Sequence, residues 1–113
     1  MEQRTVDQLQ LFPVKPVHNL FKTIDDHFAD FHGENPHVYE NIKRIAYQAK
    51  AAGRKRIGMK LIFERLRWEY FIRTDRPEAE FMLNNNYTSR YARLLMANEP
   101  ELAGMFETRI LKS

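Results

Sequence analysis

Between Asn35 and Gly53 the chain has few options besides a helix. Asn35 is a favourable N-cap residue, and Pro36 suits the first helical position, where an N–H has no partner anyway. Val38, Ile42, Ile45, Ala49 and Ala52 then recur at helical spacing, and Gly53 supplies a stop. Lys43, Arg44 and Lys50 fall off that stripe, toward solvent. An apolar stripe of this kind is stable only against other elements, so the neighbouring segments must supply its cover.

Three further helices are predicted. Leu20, Ile24, Phe28 and Phe31 share one face of a helix over His18–His32, stopped by Gly33. From about Gly58 to Tyr70, Met59, Ile62, Phe63, Leu66 and Tyr70 form one face, with Leu61, Arg65 and Trp68 opposite. Apolar residues on two sides predict burial of Leu61 and Trp68 as well. Phe71–Thr74 and Ala79–Leu83 read as strands around turn-forming Asp75-Arg76-Pro77-Glu78, which predicts a small β-hairpin. Asn84-Asn85-Asn86 caps a helix from about Tyr87 to Ala97, with Tyr87, Tyr91, Leu94 and Leu95 inward. A short helix restarts after Asn98-Glu99-Pro100 and reaches about Phe106. The expected fold is mainly α with a small β-hairpin. Residues 1–17 form a flexible tail, kept extended by Pro13 and Pro16, and 18–113 form a single helical domain.

With 113 residues, 43% of them hydrophobic, the chain has enough apolar material for one core. The absence of cysteine excludes disulfides and thiol catalysis. No apolar run is long enough to span a membrane, and Met1–Asp7 lacks the layout of a secretion signal, so a cytoplasmic location is expected.

Net charge is only +3, but it is segregated. Lys43 to Arg76 holds eleven Lys or Arg against three acids, while both flanks carry more acids than bases. A basic middle third points to a polyanion, most often nucleic acid. The layout of helices and hairpin resembles a winged helix-turn-helix. In that arrangement Ser89, Arg90 and Arg93 face bases or phosphates of duplex DNA, Arg54, Lys55, Arg56 and Lys60 hold the backbone, and Arg73 and Arg76 sit on the wing. The stretch between Tyr70 and Tyr87 departs from that pattern, because it is longer than the short turn of a compact helix-turn-helix. Trp68 and Tyr47 beside the basic run offer a second possibility, a stacking platform for single strands.

The tail carries a motif of its own. Gln8-Leu9-Gln10-Leu11-Phe12 resembles the short peptides by which bacterial polymerases and repair proteins hook onto the DNA sliding clamp. Gln8, Leu9, Leu11 and Phe12 match the fixed positions of that family pattern. The alternative is a tail that folds back, with Leu9, Leu11 and Phe12 covering an edge of the core. From Asn35 onward the chain also resembles small proteins encoded by phages and mobile elements, through Asn35-Pro36, Gly53, Glu64 with Arg67-Trp68, Asn84-Asn85-Asn86-Tyr87 and Tyr91-Ala92-Arg93. That resemblance implies a replication or host-takeover setting and no particular activity.

Enzyme chemistry finds no support in the pattern. Asp25, Asp26, His27, Asp30 and His32 crowd one region, but His27 and His32 are five residues apart and do not face together on a helix. The four glycines are scattered and form no phosphate loop. No catalytic residue, cofactor or metal is expected. The sequence therefore predicts an adaptor or inhibitor with two partners, the clamp through its tail and duplex DNA through its basic domain. The alternatives are a free-standing winged-helix-like DNA-binding regulator and a protein-binding inhibitor of a host factor.

Overall fold

The structure is a computed structural model that describes residues 9–15, 23–75 and 83–107. It is mainly helical. The elements are α1 (Ile24–Glu34), α2 (Pro36–Ala51), α3 (Met59–Arg73) and α4 (Thr88–Asn98), with 3-10 turns at Asn85–Tyr87 and Pro100–Leu102.

Helix α1 begins where Thr23 Oγ1 accepts from the Asp26 N–H at 3.2 Å. The expected start at His18 lies outside the described residues. Gly33 does not stop the helix, which runs on to Glu34. The stop comes from Asn35, held off the helical conformation by Pro36. Both its backbone N–H and its side-chain Nδ2 donate to the Phe31 carbonyl, at 2.9 and 3.1 Å. The Asn35 side chain therefore does not cap α2, contrary to expectation. Helix α2 ends as the sequence predicts. Gly53, at φ +91, lets its N–H reach the Lys50 carbonyl and the Arg54 N–H reach the Ala49 carbonyl, the paired bonds of a Schellman motif.

One face of α3 is buried as expected: Met59, Ile62, Phe63, Leu66 and Tyr70 are each at most 6% exposed. The opposite face corrects the sequence reading. Leu61 is 63% and Trp68 55% exposed, because α2 and α4 cover α3 from one side only. The hairpin is corrected as well. Phe71–Arg73 is the last turn of α3, and there is no strand among the described residues. The second expected strand lies almost wholly outside the described residues, and Leu83 at its end is buried without being a strand. An electrostatic pairing explains the longer helix. Buried Glu69 lies 3.2 Å from Arg65 Nε and 2.8 Å from Arg73 Nε, each four residues away. The second of these pairs exists only if helical geometry continues through Arg73.

Helix α4 closes the core with Tyr91, Ala92 and Leu95. Phe28 and Phe63 meet the Tyr91 ring at 4.7 and 6.0 Å between centroids. Asn84 caps the 3-10 turn that leads into α4, its Oδ1 accepting from the Asn86 N–H at 2.8 Å, whereas α4 itself starts at Thr88 without a side-chain cap.

Residues 9–15 lie against this bundle, so the described part of the tail is not free. The Gln10 backbone pairs twice with the Asn41 amide: N–H to Oδ1 at 2.9 Å, and Nδ2 to the carbonyl at 2.9 Å. Five residues on, Lys15 makes the same two-point pairing with Asn35, at 2.7 and 3.0 Å. Between them the Tyr70 hydroxyl donates to the Phe12 carbonyl at 2.5 Å. Both asparagines are fully buried, so the Oδ1 of each and the Nδ2 of Asn41 would be unsatisfied without the strap or water. Replacing Asn41 with Ala removes both bonds to Gln10 and is expected to cost about 1–3 kcal/mol in urea unfolding. Unchanged stability would mean the strap contributes nothing to the folded state.

Candidate functional site

Two surfaces carry candidate functional residues. The first is the strap. Leu9 is 7% exposed and Leu11 is half-buried against the core, as the fold-back alternative expects for these two. Phe12 behaves differently. It is 57% exposed, and its ring meets His37 edge-on at 5.7 Å. Gln8 lies outside the described residues.

His37 sits beneath this segment. Burial holds its pKa below the ordinary 6.5; the Phe12 carbonyl acts the other way, and Lys15 adds a smaller lowering. Burial lowers His32 likewise, against the opposing charge of Glu40.

The second surface is basic. Arg54, Lys55, Arg56 and Lys60 are exposed, the first three consecutive in the turn after Gly53 and Lys60 in the first turn of α3. This connector is fastened at both ends, by the Arg54 N–H on Ala49 and by the Ile57 N–H on the Met105 carbonyl at 2.9 Å. Among the described residues these four cations form no ion pair, which leaves their charge for a partner.

The remaining sequence candidates are not gathered with them. Arg90 is turned inward. Its Nε lies 2.5 Å from Asp25 Oδ1, and Nη1 donates to the Asn86 carbonyl at 3.0 Å, which ties α4 to α1. Ser89 and Arg93 are half-buried, and Arg93 already has a partner. Arg73 is engaged with Glu69. Arg76 lies outside the described residues.

Farther along α3, an open cleft of about 820 Å³ separates Trp68 and Phe71 from Leu83, Asn84 and Asn85. Arg67 fixes its far wall, donating to the Leu83 carbonyl and, at 2.8 Å, to Asn85 Oδ1. Sequence reasoning missed this cleft, since burial was expected for Trp68 and a strand for Phe71. A helix whose apolar residues encircle it, with nothing in the sequence to cover the second side, was the available signal. It also passed over Asn41, whose signal was a short polar residue in the middle of a helical apolar face.

Tyr47, the second aromatic of the expected stacking platform, is half-buried. It donates to Glu99 Oε1 at 2.6 Å, a bond that pushes its pKa up to about 12. Among the described residues no cluster of three metal-ligating side chains occurs, and no helix is long and apolar enough to cross a membrane.

No family model, curated protein or solved structure matches this chain.

A pH dependence follows from the two histidines. Their folded pKa values lie below 6.5, so as pH falls through that value the unfolded chain takes up protons first. Stability is therefore full above pH 6.5 and declines as pH falls toward the folded pKa values. Unfolding of wild type and His37→Gln in urea across this range checks it. The variant should lose part of the decline, and an identical pH profile would contradict the assignment to His37.

Proposed function

We propose that this protein is a small phage-type adaptor or inhibitor that binds the bacterial DNA sliding clamp through Gln8, Leu9, Leu11 and Phe12 and contacts DNA through its basic connector. The observation that carries this reading is that Leu9–Phe12 of the clamp-type peptide lie along the bundle with Phe12, the largest apolar side chain among them, facing solvent.

Entry into a clamp cleft requires Leu9 to leave its own domain, and the energetics allow this. The strap's five hydrogen bonds to Asn35, Asn41 and Tyr70 contribute about 1 kcal/mol each. Buried Leu9 and Val14 add about 2 kcal/mol each. Ordering the backbone of residues 9–15 costs about 1–2 kcal/mol per residue. The two sides cancel to within a few kcal/mol, so a pocket that takes two Leu and a Phe can compete for the segment. Occupying the shared cleft would exclude other clamp-binding proteins, and the basic connector would hold the protein on DNA threaded through the ring.

The DNA contact in this proposal rests on Arg54, Lys55, Arg56 and Lys60 alone. A winged-helix docking of α4 forms no part of it, because Arg90 is committed to Asp25 and the segment expected to start the wing is helical.

Binding to a purified bacterial clamp tests the first half. Wild type should bind in the micromolar range, since ordering the peptide offsets much of the burial. Leu11→Ala with Phe12→Ala should weaken binding by about two orders of magnitude. A wild type that does not bind, or a double variant with unchanged affinity, would remove the clamp reading. For the second half, duplex binding should weaken steeply with salt. Arg54→Ala and Lys55→Ala should each flatten the slope by about one unit. A flat wild-type slope would remove the DNA contact.

A further inference from the structure

We propose that the cleft between α3 and the Leu83–Asn85 segment is a binding site for the bases of single-stranded nucleic acid. This does not depend on the clamp reading or on the duplex contact.

One wall of the cleft is aromatic. Trp68 and Phe71 are 55% and 63% exposed, with ring centroids 5.7 Å apart and planes tilted by 36°. Two large aromatic rings side by side in water, on one wall of a cleft of about 820 Å³, call for a flat apolar partner. The volume lies in the range of about 300–1,000 Å³ usual for sites that enclose small ring systems.

The opposite wall adds a polar requirement. Asn84 Oδ1 is occupied by the Asn86 N–H, and Asn85 Oδ1 by Arg67. Each oxygen keeps a second lone pair, and neither NH2 donates to another group among the described residues, so each amide can both donate and accept. A ligand with an aromatic face and with donor and acceptor atoms along its edge engages both walls, and nucleobases have that chemistry. An aliphatic or phenyl side chain would leave the amides to water.

Charge places the rest of the chain being bound. Lys60, Glu64, Arg67, Trp68 and Phe71 follow one another at helical spacing on α3. Glu64, the acid on the cleft's edge, lies 3.3 Å from Arg67, which offsets its charge. Lys60 stands at the other end of the same face, about 16 Å from Phe71 along the helix. Phosphates at the basic end and bases at the aromatic end fit a strand running along α3. Bases inside a duplex are stacked on one another and present no free face, so the ligand is single-stranded.

Trp68 is the only tryptophan, so its fluorescence reports the site directly. The full chain is titrated at low salt with oligonucleotides of about twelve nucleotides, one of thymidines and one of uridines, and with a duplex of equal length. Saturable quenching by at least one single strand is expected, and the two single strands decide between DNA and RNA as the ligand. Phe71→Ala, at an exposed position that leaves the core intact, should weaken that binding by about 5- to 150-fold. Lys60→Ala should reduce its salt slope by about 0.7. No quenching by either strand, equal response to the duplex, or quenching unchanged in Phe71→Ala would overturn the assignment.

Discussion

Two asparagine amides, at Asn35 and Asn41, decide how the amino-terminal segment and the helical bundle relate. An extended peptide laid on a helix has no ladder of backbone partners, and unpaired backbone groups against a core are costly. Each asparagine answers this at one residue, offering one acceptor and one donor to a backbone N–H and carbonyl. The Tyr70 hydroxyl takes the carbonyl between them. Leu9 and Val14 can then enter the core edge while Phe12 stays outside. The same buried residues that make the strap fit also make it exchangeable. Water can satisfy an exposed amide, so releasing the strap strands no buried charge.

The second organising feature is the one-sided cover of α3. Helices α2 and α4 pack on the face that carries Ile62, Phe63 and Leu66. The chain then returns past Leu83 to start α4, and Arg67 fixes that return by reaching the Leu83 carbonyl and Asn85. The guanidinium thus sets the distance between the uncovered aromatic face and the polar wall opposite it. The polar wall of the cleft is held in place by that one set of bonds.

Much of the bundle was legible in the sequence. The boundaries of α2, the buried face of α3 and the cap at Asn84 follow from local periodicity and turn chemistry, which depend on neighbouring residues only. Where the reading failed, distant contacts or longer-reaching pairs decided. Phe71 and Ile72 have strand-like side chains, yet the Glu69–Arg73 pair carries the helix through them. Asn35 looks like a cap, but a tail residue twenty positions earlier takes its side chain. Arg90 falls on the outward face of α4 by periodicity, yet Asp25 on another helix claims it. Of the candidate site residues, the connector cations stayed together because a loop following a glycine-terminated helix is exposed by local geometry alone.

Clamp binding of this kind requires the strap to be held in the free protein and given up to the clamp. Amide hydrogen exchange at Gln10 and Lys15, whose N–H groups are bonded to Asn41 and Asn35, reads this residue by residue. Both amides should be protected in the free protein. With saturating clamp, Lys15 should lose protection while the helical amides of α2 and α3 keep theirs. Protection at Lys15 that is unchanged by the clamp would show that the segment never leaves its own domain, and the account would be wrong.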